Sequence, residues 1–495
     1  AGPTVHNEFV IGHAYNGAGD QFNVQMYISG SGNAELATTR KLRDPSHWYH
    51  IIVAVDTSES ASADKLKLYI NGELQTVFAA DQRSSMGSSQ LVNSAVRHEV
   101  GRFARVGGHY MDGYIAEFHS VDGTALAHTS FGEFDEDYGN WKPIKYEGSH
   151  GTNGFYLDFA DASDLGDDES ANTNDFTEVN FATHDRVLDS PTNNFSTLNS
   201  VAKALNDTLS EGNLKKTGTS TQSRTCSTFG FDSGKWYAEY YVHTRGSNNP
   251  SLGIVDTAVQ NARNTIHVGN EAGTFGYYST SAGAANVNHG GTGNNGGTYS
   301  TYTDGHIIGV ALNIDDLQVT FYNNGSNAVT SGTTYETLTL DMTYNFAMGT
   351  NGSGVMIANF GQDGTFAGNV TAGNNADGNG YGNFKYAPPT GFLAACSQNL
   401  PDCAVIPSEH FNCQIWDGNN ARTITTGFQP DLVWLKCRSS GNSHENLDRL
   451  RGATNRLRLE DNSAEATESA GLTSFTSTGY VLGSNNGYNA SGITY

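Results

Sequence analysis

Arg43-Asp-Pro-Ser-His-Trp-Tyr-His-Ile-Ile-Val-Ala-Val-Asp56, then Asp64-Lys-Leu-Lys-Leu-Tyr-Ile-Asn-Gly72, then Asp112-Gly-Tyr-Ile-Ala-Glu-Phe118, is the stretch that decides the fold class. Each run has the length of a strand and alternates with period two, and polar or glycine-rich breaks separate them. Trp48, His50, Ile52, Ala54 and Asp56 share one strand face, and Tyr49, Ile51, Val53 and Val55 the other. Leu66, Leu68 and Ile70 alternate with Lys65, Lys67 and Tyr69, and Asn71-Gly72 predicts a tight hairpin turn of the primed kind.

The rest of the chain carries the same signature. Among 495 residues, 58 are glycine and only 10 proline, a balance that suits short strands joined by turns needing positive φ. Length alone predicts about three domains. Acidic side chains outnumber basic ones, 51 to 27, for a formal charge of -24. Such a surface repels nucleic-acid phosphate and anionic headgroups, so neither a nucleic-acid partner nor membrane insertion is expected. No apolar run approaches the roughly 20 residues of a membrane span. The cysteines Cys226, Cys396, Cys403, Cys413 and Cys437 make a poor disulfide framework and contain no Cys-x-x-Cys pair. They predict assembly in a reducing cytosol, with a bridge inside the 396–437 cluster as the alternative.

The opening stretch resembles the laminin-G-like, concanavalin-type jelly roll. Further on, Lys235-Trp-Tyr-Ala-Glu-Tyr-Tyr-Val242, Ser251-Leu-Gly-Ile-Val255, Gly305-His-Ile-Ile-Gly-Val-Ala-Leu-Asn313 and Gln318-Val-Thr-Phe-Tyr-Asn-Asn-Gly325 resemble, in that order, a SPRY-type sandwich. The predicted fold is all-β. It comprises a concanavalin/laminin-G-like sandwich over 1–158, an Asp/Asn-rich connector over 159–225, a SPRY-like sandwich over 226–395 and a smaller β-rich unit over 396–495. The connector is expected to hold a short helix within Ser200–Leu214, from the spacing of Val201, Leu205 and Leu209.

Catalytic patterns are weak. A retaining glycosidase needs two carboxylates about 5 Å apart, which one strand supplies at spacing two or four. Glu117 and Asp122 are five apart and read as facing opposite ways, while Glu239, between Tyr237 and Tyr241, reads as a surface carboxylate. Gly291, Gly293 and Gly296 match Gly-x-Gly-x-x-Gly but lack a following helix pattern. Asp168, Ser170, Asn172 and Asn174 put oxygens at alternate positions, a spacing that could wrap calcium, although the sharpening glycine is missing. Tyr15, Tyr110, Tyr277, Tyr278, Tyr299, Tyr302 and Tyr488 stand in polar, glycine-rich text and are the candidate sugar-stacking residues.

Asp189-Ser-Pro-Thr-Asn-Asn-Phe195, Tyr156-Leu-Asp-Phe159, His410-Phe-Asn412, Trp416-Asp-Gly-Asn419, Gly427-Phe-Gln-Pro-Asp-Leu-Val-Trp-Leu-Lys436 and Leu450-Arg-Gly-Ala-Thr454 together look like large virion proteins of marine tailed bacteriophages. The resemblance implies a structural tail fibre or appendage that attaches to host cell-surface glycan and catalyses nothing. It implies a homotrimer beside other virion proteins, located in the virion after assembly in the host bacterial cytoplasm. Compared with that family, the chain is expected to be trimmed at both ends. A purely architectural role, as capsid decoration or tail adaptor, is the first alternative, and a polysaccharide depolymerase the second.

Overall fold

The computed structural model describes residues 8–13, 21–27, 33–86, 93, 97–102, 110–111, 113–218, 222–246, 248–260, 266–280, 283–293, 297–402 and 404–495. The chain is all-β, as expected. The one α-helix among the described residues is the single turn Ser62–Lys65. Two compact units form: residues 1–132 with 143–400, and residues 133–142 with 401–495.

In the first unit, an antiparallel sheet runs in the order Glu8–His13, Gln21–Tyr27, Asn33–Lys41, Phe78–Asp81. A second sheet joins Ile51–Val55, Leu66–Ile70 and Glu73–Leu74. Ile51, Val53 and Val55 lie opposite Ile70, Leu68 and Leu66, so one apolar face forms. That face packs with Phe22, Val24, Leu36 and Met86. Asn71 and Gly72 have φ of 49° and 75°, the left-handed pair that a primed hairpin turn requires. The expected strand at 112–118 shortens to Phe118–Ser120, which pairs with Phe155–Leu157. Glu117 takes φ 51°, which breaks the alternation that the sequence suggested.

The main sandwich packs a seven-stranded sheet on a nine-stranded one. The first runs Leu198–Lys203, Ser223–Phe231, Tyr344–Asn351, Asn248–Asp256, Thr274–Ser279, Ala285–His289, Thr292–Gly293. The second runs Thr208–Ser210, Lys215–Thr217, Val355–Asn359, Lys235–Thr244, Ile307–Asn313, Gln318–Asn323, Ser326–Asn327, with Glu336–Thr337 also paired to Gln318–Asn323 and Leu393–Ala394 to Lys235–Thr244. The helix expected within 200–214 is therefore a correction. Those residues form strands in both sheets, with Val201 and Leu205 pointing outward at 77% and 76% exposure while Leu198 and Leu214 enter the core. The four-residue spacing was coincidental, because Glu211, Gly212 and Asn213 all take positive φ and turn the chain back.

Strand Lys235–Thr244 is buried on both faces. Trp236, Ala238, Tyr240 and Val242 face the inter-sheet core, while Tyr237 faces Phe195, Phe384, Ala394 and Cys396. Asp189-Ser-Pro-Thr-Asn-Asn-Phe195 makes the clasp over that outer face. Phe195 N–H donates to Asp189 Oδ1 at 2.8 Å, Ser196 N–H to Ala395 O at 2.8 Å, and Gln398 Nε2 to Thr192 O at 2.8 Å. The motif is thus spent on holding 394–398 in place.

The second unit has a sheet in the order Arg422–Thr425, Gly479–Leu482, Leu472–Thr476 and another in the order Leu432–Lys436, His444–Asp448, Asn455–Arg458, Ala466–Thr467. Ile424, Val433, Leu435, Leu447, Leu472, Tyr480, Leu482 and Tyr488 fill the space between them. Tyr495 exchanges backbone hydrogen bonds with Trp416 at 2.9 and 3.3 Å, so the last residues are paired here.

Candidate functional site

Strand Leu432–Lys436 alternates strictly. Val433 and Leu435 are buried, whereas Leu432 and Trp434 are 59% and 62% exposed. Trp434 is therefore an indole placed on the outward face of an edge strand by the two-residue period itself. Its Nε1–H donates to His444 Nδ1 at 3.0 Å, and the two rings lie 5.7 Å apart at 45°. His444 is anchored in turn, its backbone N–H donating to Glu460 Oε2 at 3.1 Å.

Directly opposite Trp434 stands Asn446, half-buried, with Leu457 on the next strand in the same row. The Asn446 side-chain amide makes no hydrogen bond with another described residue. Asp448, opposite Leu432, accepts the backbone N–H of Arg451 at 2.8 Å, and Lys436 donates its ammonium to Asn442 O. The indole donor is already used, so what the ring offers is its flat face. That face, beside an amide with two donors and an acceptor, suits the C–H face and hydroxyls of a sugar.

The tyrosines expected to do this work are mostly elsewhere. Tyr277, Tyr302 and Tyr488 are fully buried, and Tyr299 is 5% exposed. This corrects their reading as loop-tip residues. Tyr277 meets Tyr302 edge-on at 5.0 Å and donates its hydroxyl to Ser300 O. Tyr302 reaches Pro250 O at 2.6 Å, Tyr299 donates to Glu336, and Tyr488 donates to Glu445 Oε2 at 3.3 Å. Aromatic bulk filled the core where each hydroxyl found an internal partner. Tyr278 is half-buried within Thr274–Ser279. Tyr110 is 64% exposed, with the Arg102 guanidinium 5.6 Å from its ring centroid. Tyr15 lies outside the described residues.

The calcium spacing is also corrected. Asp168 Oδ1 accepts the N–H groups of Tyr156 and Ser170 at 2.8 and 2.9 Å, and Oδ2 accepts that of Asn174 at 2.9 Å. Asn172 and Asn174 turn their Nδ2 groups, not their oxygens, toward Gly154 O at 3.0 and 2.9 Å. Burial pushes the Asp168 carboxyl up, but these donors outweigh it and hold the group below its ordinary value. A carboxylate so saturated with amide donors knots the loop; it does not present oxygens to a cation. Among the described residues no group of three His, Cys, Asp or Glu side chains is placed to hold a metal.

Glu239 is buried rather than on the surface. Its two oxygens accept the N–H groups of Lys385 and Tyr386, both at 2.8 Å, and Tyr237 Oη lies 3.3 Å away. Burial pushes its carboxyl up to about 7 against these donors. Asp122 binds Asn153 through its Oδ2 at 2.8 Å. Gly291 and Gly293 belong to a hairpin after Ala285–His289, and Gly296 lies outside the described residues. Cys226, Cys396, Cys413 and Cys437 form no disulfide with one another, and Cys403 lies outside the described residues.

Residues 406–495, which include the Trp434 face, match the model of a domain of unknown function, DUF7483. No curated protein matches the chain. Among solved structures it is similar to the SPRY domain of human HERC1, at 14% identity over 32% of this chain and 96% of that one, with a TM-score of 0.26. It is also similar to the PSpry domain of TRIM65, at 11% identity over 33% and 88%, with a TM-score of 0.28. A human SPRY domain gives 15%, 31% and 93%, with a TM-score of 0.24. These values carry no argument about partners or activity.

In the sequence Trp434 stands out only as part of the Gly427–Lys436 motif. The signal that finds it is the alternation of Leu432-Val-Trp-Leu-Lys436, in which Val433 and Leu435 take the core and leave the tryptophan outside.

Proposed function

We propose that the chain is a structural virion protein of a tailed bacteriophage, a fibre or appendage that attaches to host cell-surface glycan through the Trp434 face and catalyses no reaction. The observation that carries this reading is an open indole, fixed by His444, beside the uncommitted amide of Asn446. The virion setting, the homotrimer and the neighbouring virion proteins rest on the sequence resemblance. The expected experiment is depletion of the purified chain from solution by permissive host cells. Trp434→Ala is expected to weaken depletion about tenfold, the order of one lost aromatic stacking contact with its buried area. Its melting temperature should stay unchanged, because the ring is exposed. Equal depletion by both proteins would contradict the reading.

The architectural alternative is favoured by a different set of side chains. Val405, Phe411 and Ile415 are 57%, 74% and 64% exposed, and apolar groups of that size suit a protein partner better than a sugar. In that case Phe411→Ser lowers incorporation into particles while Trp434→Ala leaves it intact.

A further inference from the structure

We propose that His119 and His150 form a proton-operated clasp: neutral, it ties the 146–157 segment to the 117–120 segment, and acidification releases it. The geometry is that of a shared proton. His119 Nδ1 lies 3.1 Å from His150 Nε2, with the two ring planes 10° apart. Tyr156 stacks on His119 at 4.1 Å, and Tyr146 meets the two imidazoles edge-on at 6.0 and 5.1 Å. His150 is 6% exposed and the His119 side chain 14%, so little water reaches either ring.

An N–H···N bond needs one nitrogen to keep its lone pair. With one proton added, the pair survives. Glu117 Oε2, 3.9 Å from His119 Nε2, then supplies the countercharge. With a second proton no acceptor is left, and two cations face each other in a site that cannot solvate them.

Each element packed around the cluster contributes to this balance. Burial, and then the His119 charge, pull His150 below its ordinary value, with Asp168 opposing. Burial, and then His119, pull His50 down, with Glu117 opposing. Glu117 itself is held low, first by its bond with His119, and so stays ionised throughout. For histidines lowered in the fold, the stability they contribute is complete above 6.5, their ordinary value, and is lost as pH falls below it.

The test is hydrogen exchange by mass spectrometry on the whole chain at about pH 7.5 and about pH 5.5, corrected for the intrinsic rate. Peptides covering 117–122 and 146–157 are expected to lose protection about fivefold or more at the lower pH, while those covering 307–313 do not. In His150→Gln, whose amide cannot titrate, the two segments are expected to exchange alike at both pH values, whether fast or slow. Unchanged protection in the wild type, or a full pH response surviving in His150→Gln, would overturn the clasp.

Discussion

The sandwich core holds charges that its hydrophobic pattern does not announce. Lys216 and Asp207 pair at 3.0 Å with both side chains fully buried, and burial pulls the ammonium down to about 8. Removing one partner strands the other. Lys216→Ala is therefore expected to cost about 3–5 kcal/mol in denaturant unfolding, whereas Lys216→Met with Asp207→Leu recovers most of that loss. Glu239 makes the complementary case through pH. Its folded value is raised, so the folded form keeps a proton that the unfolded one has lost, and its contribution to stability falls as pH rises from 4.5 to about 7. Measured against the non-titrating Glu239→Gln across that range, the wild type is expected to lose up to about 3 kcal/mol, at about 1.4 kcal/mol per unit. An unchanging difference would refute the assignment. Neither charge was legible in the sequence. Glu239 sits in an alternating run whose odd face looked exposed, and its cover, Lys385 and Tyr386, arrives from 146 residues or more away.

Among the elements, those written by local rules were legible. Asn71-Gly72 closed the expected hairpin, and Gly305–Asn313 with Gln318–Gly325 contain the paired strands Ile307–Asn313 and Gln318–Asn323. Where long-range packing decides, the pattern misled. Residues 200–214 look helical until Leu198 and Leu214 are claimed by the sandwich, and the tyrosines near 299–302 look like loop tips until they fold onto Tyr277. Gly309 shows how tight the doubly covered sheet is. A Cβ there would stand 2.5 Å from the Tyr237 hydroxyl, on the face where Tyr237 packs against Phe384. Gly309→Ala is expected to destabilise by about 1–3 kcal/mol through overpacking, and Gly309→Ala with Tyr237→Phe by less. Equal melting temperatures for Gly309→Ala and the wild type would show that this outer layer yields freely.

On the scale of the molecule, the division of labour follows burial. The sandwich of the first unit encloses Tyr277, Tyr299 and Tyr302, whereas the second unit displays Trp434 on a sheet only four strands wide. On the proposed reading, recognition rests on the exposed face of Trp434 and the neutral amide of Asn446 opposite it. Binding should accordingly depend little on salt, in contrast to an interface built on charge. The most direct measurement is calorimetric titration of purified host-surface polysaccharide into wild type, Trp434→Phe and Trp434→Ala. The account predicts binding by the wild type, partial retention by Trp434→Phe and loss of about tenfold or more in Trp434→Ala. Indistinguishable affinities for all three proteins would contradict it.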